Sequence, residues 1–280
     1  MADTATQRPA PLWFKAATAL VGGWRDQAFL DRSWVEPLLA HAPPRRREWL
    51  ALQLLALSPH YFVYQWTTAY PADATRSQIL RGERRRLQES REFLAQALLL
   101  PHLDADDVVL DLGCGPGFLT HALGKHCKQV IGVDVSRGAL ACADLINSGS
   151  NVEYLLSHGD GFPAVGDMSV DMVCCFAVFQ HLRRDQSADL LAEICRVLRP
   201  NGVAILHFAV GDSTKAKAPT GLRERYRLRF DYYSEGEIRD LVADAGLVID
   251  VFSATHELAP NAPDDIGRQH TIIARRINER

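Results

Sequence analysis

From about residue 105 onward, short β-branched runs alternate with stretches whose apolar residues recur at helical spacing. The runs 108–112, 130–133, 152–155, 170–176, 203–208, 247–252 and 271–274 read as strands, and helices fit between most of them over 117–126, 137–147, 185–198 and 234–245. Alternation of this kind calls for a parallel sheet covered by helices on both faces. The connection between the last two strands, about 254–269, holds Pro260 and Pro263 and shows no helical period. A parallel crossover usually needs a helix, so this pair is expected to form an antiparallel hairpin at the sheet edge. The fold class expected is α/β, with seven strands, mostly parallel.

The first hundred residues have a different texture. They read as helices over roughly 12–20, 26–40, 45–57 and 76–100. The last carries Leu80, Leu87, Leu94 and Leu98 on one face and Arg84 to Arg86 on another, and it stops at Pro101. All five tryptophans lie within the first 66 residues, and residues 1–100 hold 13 Lys/Arg against 9 Asp/Glu although the whole chain carries −3. The expected organisation is a helical region over 1–100, acting as a substrate cap or a dimerisation surface, followed by a second domain over 101–280. A homodimer stays open at this point.

Composition narrows the function classes. Hydrophobic residues at 47% and charged residues at 23% are those of an ordinary globular protein. A mildly acidic chain without a large basic block does not fit a duplex nucleic-acid binder. No apolar run is long enough to span a bilayer, so membrane insertion is not expected. The opening MADTATQRPA lacks an apolar core behind basic residues, and a cytoplasmic location is expected. The six cysteines form no C-x-x-C pair, which leaves buried reduced thiols as the expectation and no metal site.

Four segments carry the chemistry. V-V-L-D-L-G-C-G-P-G-F at 108–118 sets Gly113, Gly115 and Gly117 where the first strand turns into a helix. Glycines there permit unusual backbone angles and close approach of a ligand to the main chain. A dinucleotide fingerprint would be G-x-G-x-x-G, but position 118 is Phe and the third glycine comes one residue early. Asp111 stands two residues before the first glycine; its carboxylate would repel a pyrophosphate but not an ammonium or a sulfonium. No G-K-[ST] follows, which removes the P-loop reading. V-I-G-V-D-V-S at 130–136 ends a strand on Asp134, where a carboxylate can accept both hydroxyls of a ribose, and Ser136 can cap the next helix. S-H-G-D-G-F-P at 157–163 offers Asp160 to an exocyclic amine, and V-D-M-V-C-C-F-A-V-F-Q-H-L at 170–182 opens towards the same crevice.

Together these residues resemble the class I S-adenosylmethionine-dependent methyltransferases, especially the small-molecule branch. The resemblance covers about 105–208 well and 230–276 loosely. C-R-V-L-R-P-N-G at 195–202 is similar to the family's usual turn, with Asn201 in place of one glycine. The resemblance implies a Rossmann-like fold with S-adenosylmethionine as cofactor. It implies that Asp111, Gly113, Gly115 and Gly117 hold the methionine part and Asp134 the ribose. Val135 would pack on adenine, Asp160 and Gly161 would meet its edge, and Phe176 would line the pocket.

Methyl transfer is an in-line displacement that rests largely on alignment and on exclusion of water, so no side chain is obligatory. A base helps when an alcohol or acidic carbon must lose a proton. His181, just past the fourth strand, is the candidate, although a His in such a turn often only orients the loop; His207 is a weaker one. Two regions could wall the acceptor. One is the aromatic segment Y-F-V-Y-Q-W at 61–66, with Tyr61, Tyr64 and Trp66; its default is ordinary core. The other, 222–233, alternates Arg223, Arg225, Arg227 and Arg229, which would share one face of an extended chain as an anion clamp or a solvated edge. The missing N-P-P-Y and Pro-Cys elements leave an oxygen, carbon or simple amine of a small molecule as acceptor. An RNA or protein acceptor, or a catalytically silent cofactor-binding partner, are the competing readings.

Overall fold

The computed structural model describes residues 30–56, 74–159, 161–212, 230–262, 267 and 269–277. Its centre is one seven-stranded sheet of order β3-β2-β1-β4-β5-β7-β6. The strands are β1 (Val108–Leu112), β2 (Gln129–Asp134), β3 (Val152–Leu156), β4 (Val170–Cys175), β5 (Leu198–Phe208), β6 (Leu247–Ala254) and β7 (His270–Arg276). The first five are parallel, while β7 runs antiparallel to both β5 and β6. The edge pair is therefore antiparallel, as its short connection requires.

Among the described residues the α-helices in chain order are α1 (Val35–His41), α2 (Pro44–Leu55), α3 (Arg76–Leu94), α4 (Phe118–Leu123), α5 (Arg137–Ile146), α6 (Arg184–Val197), α7 (Glu235–Asp244) and α8 (Thr255–Leu258). Alternate residues of the central strands feed two cores. Leu110, Leu112, Val173, Cys175 and Leu206 pack with Leu190, Leu191 and Ile194 of α6 and with Ile238 and Val242 of α7. Val109, Val130, Met172, Cys174 and Ile205 pack with Leu119 and Leu123 of α4 and with Leu94, Leu98 and Leu99. Burial on both faces is what makes these strands near-continuous apolar runs. The second cluster draws on both sides of position 100, so the end of the 76–100 helix shares the core of the sheet.

Several elements differ from expectation. The 76–100 helix is α-helical to Leu94 and then continues as a π turn over Ala95–Leu99 and a 3-10 turn over Leu100–His102. Within the expected helix 26–40, residues 30–34 form turns and the α-helix starts only at Val35. A short helix, α8, stands in the connection that lacks a helical period; four residues are too few to show one. β5 begins at Leu198 rather than at 203, because its pairing with β4 jumps from Val170↔Leu198 to Met172↔Val203 around an excursion of the chain. Asn201 sits in that excursion at φ 64°, a left-handed position that Asn tolerates better than other side chains.

α1 and α2 lie on the flank of α5. Leu30, Val35, Leu39, Ala51, Leu52 and Leu55 close over Phe118, Ala139, Cys142 and Ile146. α3 runs beside α4, and Arg84 donates to the carbonyl of Ile146 at 3.0 Å. The chain order reverses between β1 and β4, which opens a crevice beyond their carboxyl ends, where ligands of open α/β sheets bind.

Candidate active site

The glycine turn leaves β1 and is held by its neighbours on all sides. Gly113 and Cys114 donate to the carbonyl of Val133 at 2.7 and 3.0 Å, and Gly117 donates to Cys114 at 3.0 Å. Gly113, Gly115 and Gly117 all have positive φ, at 74°, 53° and 76°. Two of them are also glycine for want of space. A Cβ on Gly113 would lie 2.2 Å from Val178, and one on Gly117 would lie 2.1 Å from the Tyr154 hydroxyl. That hydroxyl donates to the carbonyl of Asn147 at 2.9 Å, and the Asn147 amide donates to Pro116 at 2.7 Å. Tyr154 and Asn147 thus brace the turn from behind.

Two buried carboxylates flank the turn. Asp111 is 2% exposed and accepts from Thr120 at 2.6 Å and from the Cys174 thiol at 3.7 Å. Burial pushes its pKa up to about 6, against the pull of those two hydrogen bonds and of Arg91. Asp134 accepts from the Gly115 amide at 2.8 Å and from the Ser136 amide at 2.9 Å, and burial raises its pKa as well. Next to it Val135 is 62% exposed, a large apolar side chain left open at the end of β2. Ser136 caps α5 through the Ala139 amide at 3.1 Å.

The turn after β3 is tied to α6. The Ser157 hydroxyl donates to Gly161 at 2.7 Å and accepts from Gly159 at 3.1 Å. Glu193 receives the Phe162 amide at 3.4 Å and is itself held by Arg196, which also donates to Val165 at 2.9 Å. Asp160 lies outside the described residues. So do Tyr61, Tyr64 and Trp66 and the alternating arginines, including Arg227 and Arg229.

Past β4, Phe176 stacks obliquely on His207 with ring centres 5.5 Å apart. Ala177 follows at φ 59° and donates its amide to Nδ1 of His207 at 3.4 Å. His207 is fully buried and braces this bend. His181 closes a 3-10 turn over Phe179–His181, half-buried, with its ring 6.0 Å from Phe230. The chain returns there: Asp231 donates to Gln180 at 2.7 Å, and the Tyr233 hydroxyl is buried against Ser187 and the carbonyl of Phe179. Phe230 and Asp231, just after the arginine segment, are thereby held beside the turn that carries His181, and Gly211 before it donates to the carbonyl of Tyr233 at 2.9 Å. The bracing residues Tyr154, Asn147, Val178, Glu193 and Arg196 have no signature in the sequence, because each acts through its spatial neighbours.

The donor set fits a ligand with a cationic amino-acid part and a neutral ribose. Two buried carboxylates beside a glycine turn would repel a pyrophosphate. A family model described as a methyltransferase domain matches residues 110–206, the span from β1 to the end of β5. The chain carries a methyltransferase domain. The methyltransferase domain is similar to the ubiquinone biosynthesis O-methyltransferase of Saccharophagus degradans, 31% identical over 35% of this chain and 42% of that one. It is also similar to the ribosomal RNA small subunit methyltransferase C of Alcanivorax borkumensis, 34% identical over 42% of this chain and 37% of the relative. The alignments thus span about two fifths of these relatives. Among solved structures, an S-adenosylmethionine-dependent methyltransferase from Methanosarcina mazei superposes with a TM-score of 0.53 at 20% identity, covering 65% of this chain and 98% of its own. That likeness shows the fold alone. Among the described residues, no helix is long and apolar enough to cross a membrane.

Proposed function

We propose that this chain transfers a methyl group from S-adenosylmethionine to an oxygen, carbon or amine of a small molecule. The carrying observation is the cradle itself: a glycine turn between two buried carboxylates, Asp111 and Asp134, at the carboxyl end of the sheet. In this reading Asp111 and the turn Gly113, Gly115 and Gly117 hold the amino-acid part, and Asp134 accepts the ribose hydroxyls. Val135 packs on adenine, Asp160 and Gly161 meet its edge, and Phe176 lines the pocket. S-adenosylmethionine supplies, when bound, a methyl group already activated on a sulfonium. What remains for the chain is to align the acceptor and keep water out. His181 takes the acceptor's proton where one must leave. Tyr61, Tyr64, Trp66, Arg227 and Arg229 form the acceptor wall, a reading supported by the anchoring of Phe230 and Asp231 beside the His181 turn.

The similarity to ubiquinone O-methyltransferases favours a small acceptor, and the ribosomal RNA relative favours RNA as the second reading. Incubation with labelled S-adenosylmethionine and a fractionated extract separates the two. Label in small molecules is expected. Label confined to RNA or protein overturns the small-molecule acceptor, and calorimetry showing NAD bound but no S-adenosylhomocysteine overturns the cofactor site.

A further inference from the structure

A continuous set of hydrogen bonds leads from the N-terminal region to the ribose-binding acid. The Ser136 hydroxyl donates to Oδ1 of Asp31 at 2.7 Å, and the Gly138 amide donates to the same oxygen at 3.3 Å. The Ser136 hydroxyl oxygen in turn accepts the Ala139 amide at 3.1 Å, and the Ser136 amide donates to Oδ1 of Asp134 at 2.9 Å. The other Asp134 oxygen takes the Gly115 amide at 2.8 Å. Asp31 therefore fixes the direction of the one hydroxyl that both caps α5 and precedes it from the Asp134 side.

The neighbouring residue shows that this contact is built into the fold. Leu30 is 1% exposed and belongs to the cluster that covers α5. Its carbonyl lies so close to the helix that a Cβ on Gly138 would sit 1.9 Å from the oxygen. Gly138 has ordinary helical geometry, so its lack of a side chain serves only this approach. The sequence Leu30-Asp31 and the glycine at the second position of α5 fit each other.

The geometry points to Asp31 as a positioning residue for the cofactor: docked on the β2–α5 turn, it holds Ser136, and through Ser136 the Asp134 carboxylate, ready for the ribose hydroxyls. This rests on the reading of Asp134 as the ribose acceptor. By linkage, a cofactor that favours the ordered turn also favours the docked Leu30–Asp31 segment. Charge alone would act the other way on Asp134, since the nearby Asp31 carboxylate opposes its ionisation.

The test uses the full-length protein and S-adenosylhomocysteine, which has no net charge and so removes long-range attraction from the comparison. Calorimetry on Asp31→Ala should give a dissociation constant about fivefold weaker, the cost of one lost hydrogen bond. Asp31→Asn keeps an acceptor oxygen and should return to within about twofold of the native value. Gly138→Ala, which displaces Leu30 without touching any side chain assigned to the cofactor, should match Asp31→Ala. Hydrogen exchange at residues 136–139 should slow on adding the ligand in the native protein and respond less in Asp31→Ala. Asp134→Ala is the control: if it binds as tightly as the native protein, the ribose reading itself fails. If Asp134→Ala is weakened while Asp31→Ala binds normally, or if Asp31→Asn is as weak as Asp31→Ala, the positioning role of Asp31 is overturned.

Discussion

Asp111 carries a stability cost that the binding role proposed for it would offset. Its pKa in the folded protein is about 6 against an ordinary 3.8, so the folded state holds a proton that the unfolded chain releases. Stability from this group is full below the unfolded value and is lost as pH rises through about 6. The shift of about two units corresponds to a cost on the order of 3 kcal/mol at neutral pH. A bound ammonium would offset that cost by favouring the carboxylate. Asp111→Asn is therefore expected to raise the melting temperature at pH 7 and to flatten stability between about pH 4 and 6. The same variant should bind S-adenosylhomocysteine more weakly and lose the tightening expected of the native protein over that range. A thermal scan at pH 7 with no gain for Asp111→Asn would sink the desolvation argument. Asp134→Ala tests the neighbouring acid: losing charge-assisted hydrogen bonds to two hydroxyls should cost about 1.5–3 kcal/mol each before water compensates. An unchanged dissociation constant would remove the ribose assignment.

Among the elements, β3 does more than pair with β2. Its Tyr154 ring fills the space left by Gly117 and Gly132, where a Cβ would come within 2.1 and 2.8 Å of it. Tyr154→Phe loses one hydrogen bond to Asn147 and should cost about 1 kcal/mol. Tyr154→Ala also opens a cavity behind the glycine turn and should cost about 3–5 kcal/mol, as large-to-small core changes do. Denaturant titration reads both; an equal loss in the two variants would mean that the ring does not support the turn. The strands were legible because burial on both faces turns them into apolar runs, and all seven stand where those runs predict them, within a few residues. The glycine turn and its acids were legible because backbone angle and charge are properties of residue type. Tyr154 was legible only as a strand residue, because its role depends on two glycines it meets across the fold. Asp31 was not legible at all: its partners Ser136 and Gly138 lie more than a hundred positions away. The four residues of α8 and the bulged start of β5 escaped for a different reason, being too short or too irregular to leave a period.

At the scale of the whole molecule, the question is whether the N-terminal helices form a detachable cap. A cap would leave a folded methyltransferase domain behind when removed, and transfer alone would be lost. The packing argues otherwise. Residues 30–56 cover Phe118, Ala139, Cys142 and Ile146, and they share their cluster with Leu80 and Leu87 of α3. Phe118, Ile146, Leu80 and Leu87 each gain about 1.5–3 kcal/mol from full burial. Exposing the four together forfeits up to about 6–12 kcal/mol, an upper figure because each keeps some neighbours. A domain of this kind has only about 5–15 kcal/mol in total. Removing residues 1–73 should therefore give a chain that aggregates or melts without cooperativity, and Arg84 would also lose Glu48, its ion-pair partner on α2. The proposed acceptor wall is better probed by replacing residues 213–229 with a short Gly/Ser linker. Its flanks are joined by the pairing of Val210 with Tyr233. The linker variant should keep its affinity for S-adenosylhomocysteine and lose transfer to the labelled acceptor. A truncated 74–280 protein that is soluble, melts cooperatively near the full-length temperature and binds S-adenosylhomocysteine would show the N-terminal helices to be an appendage after all.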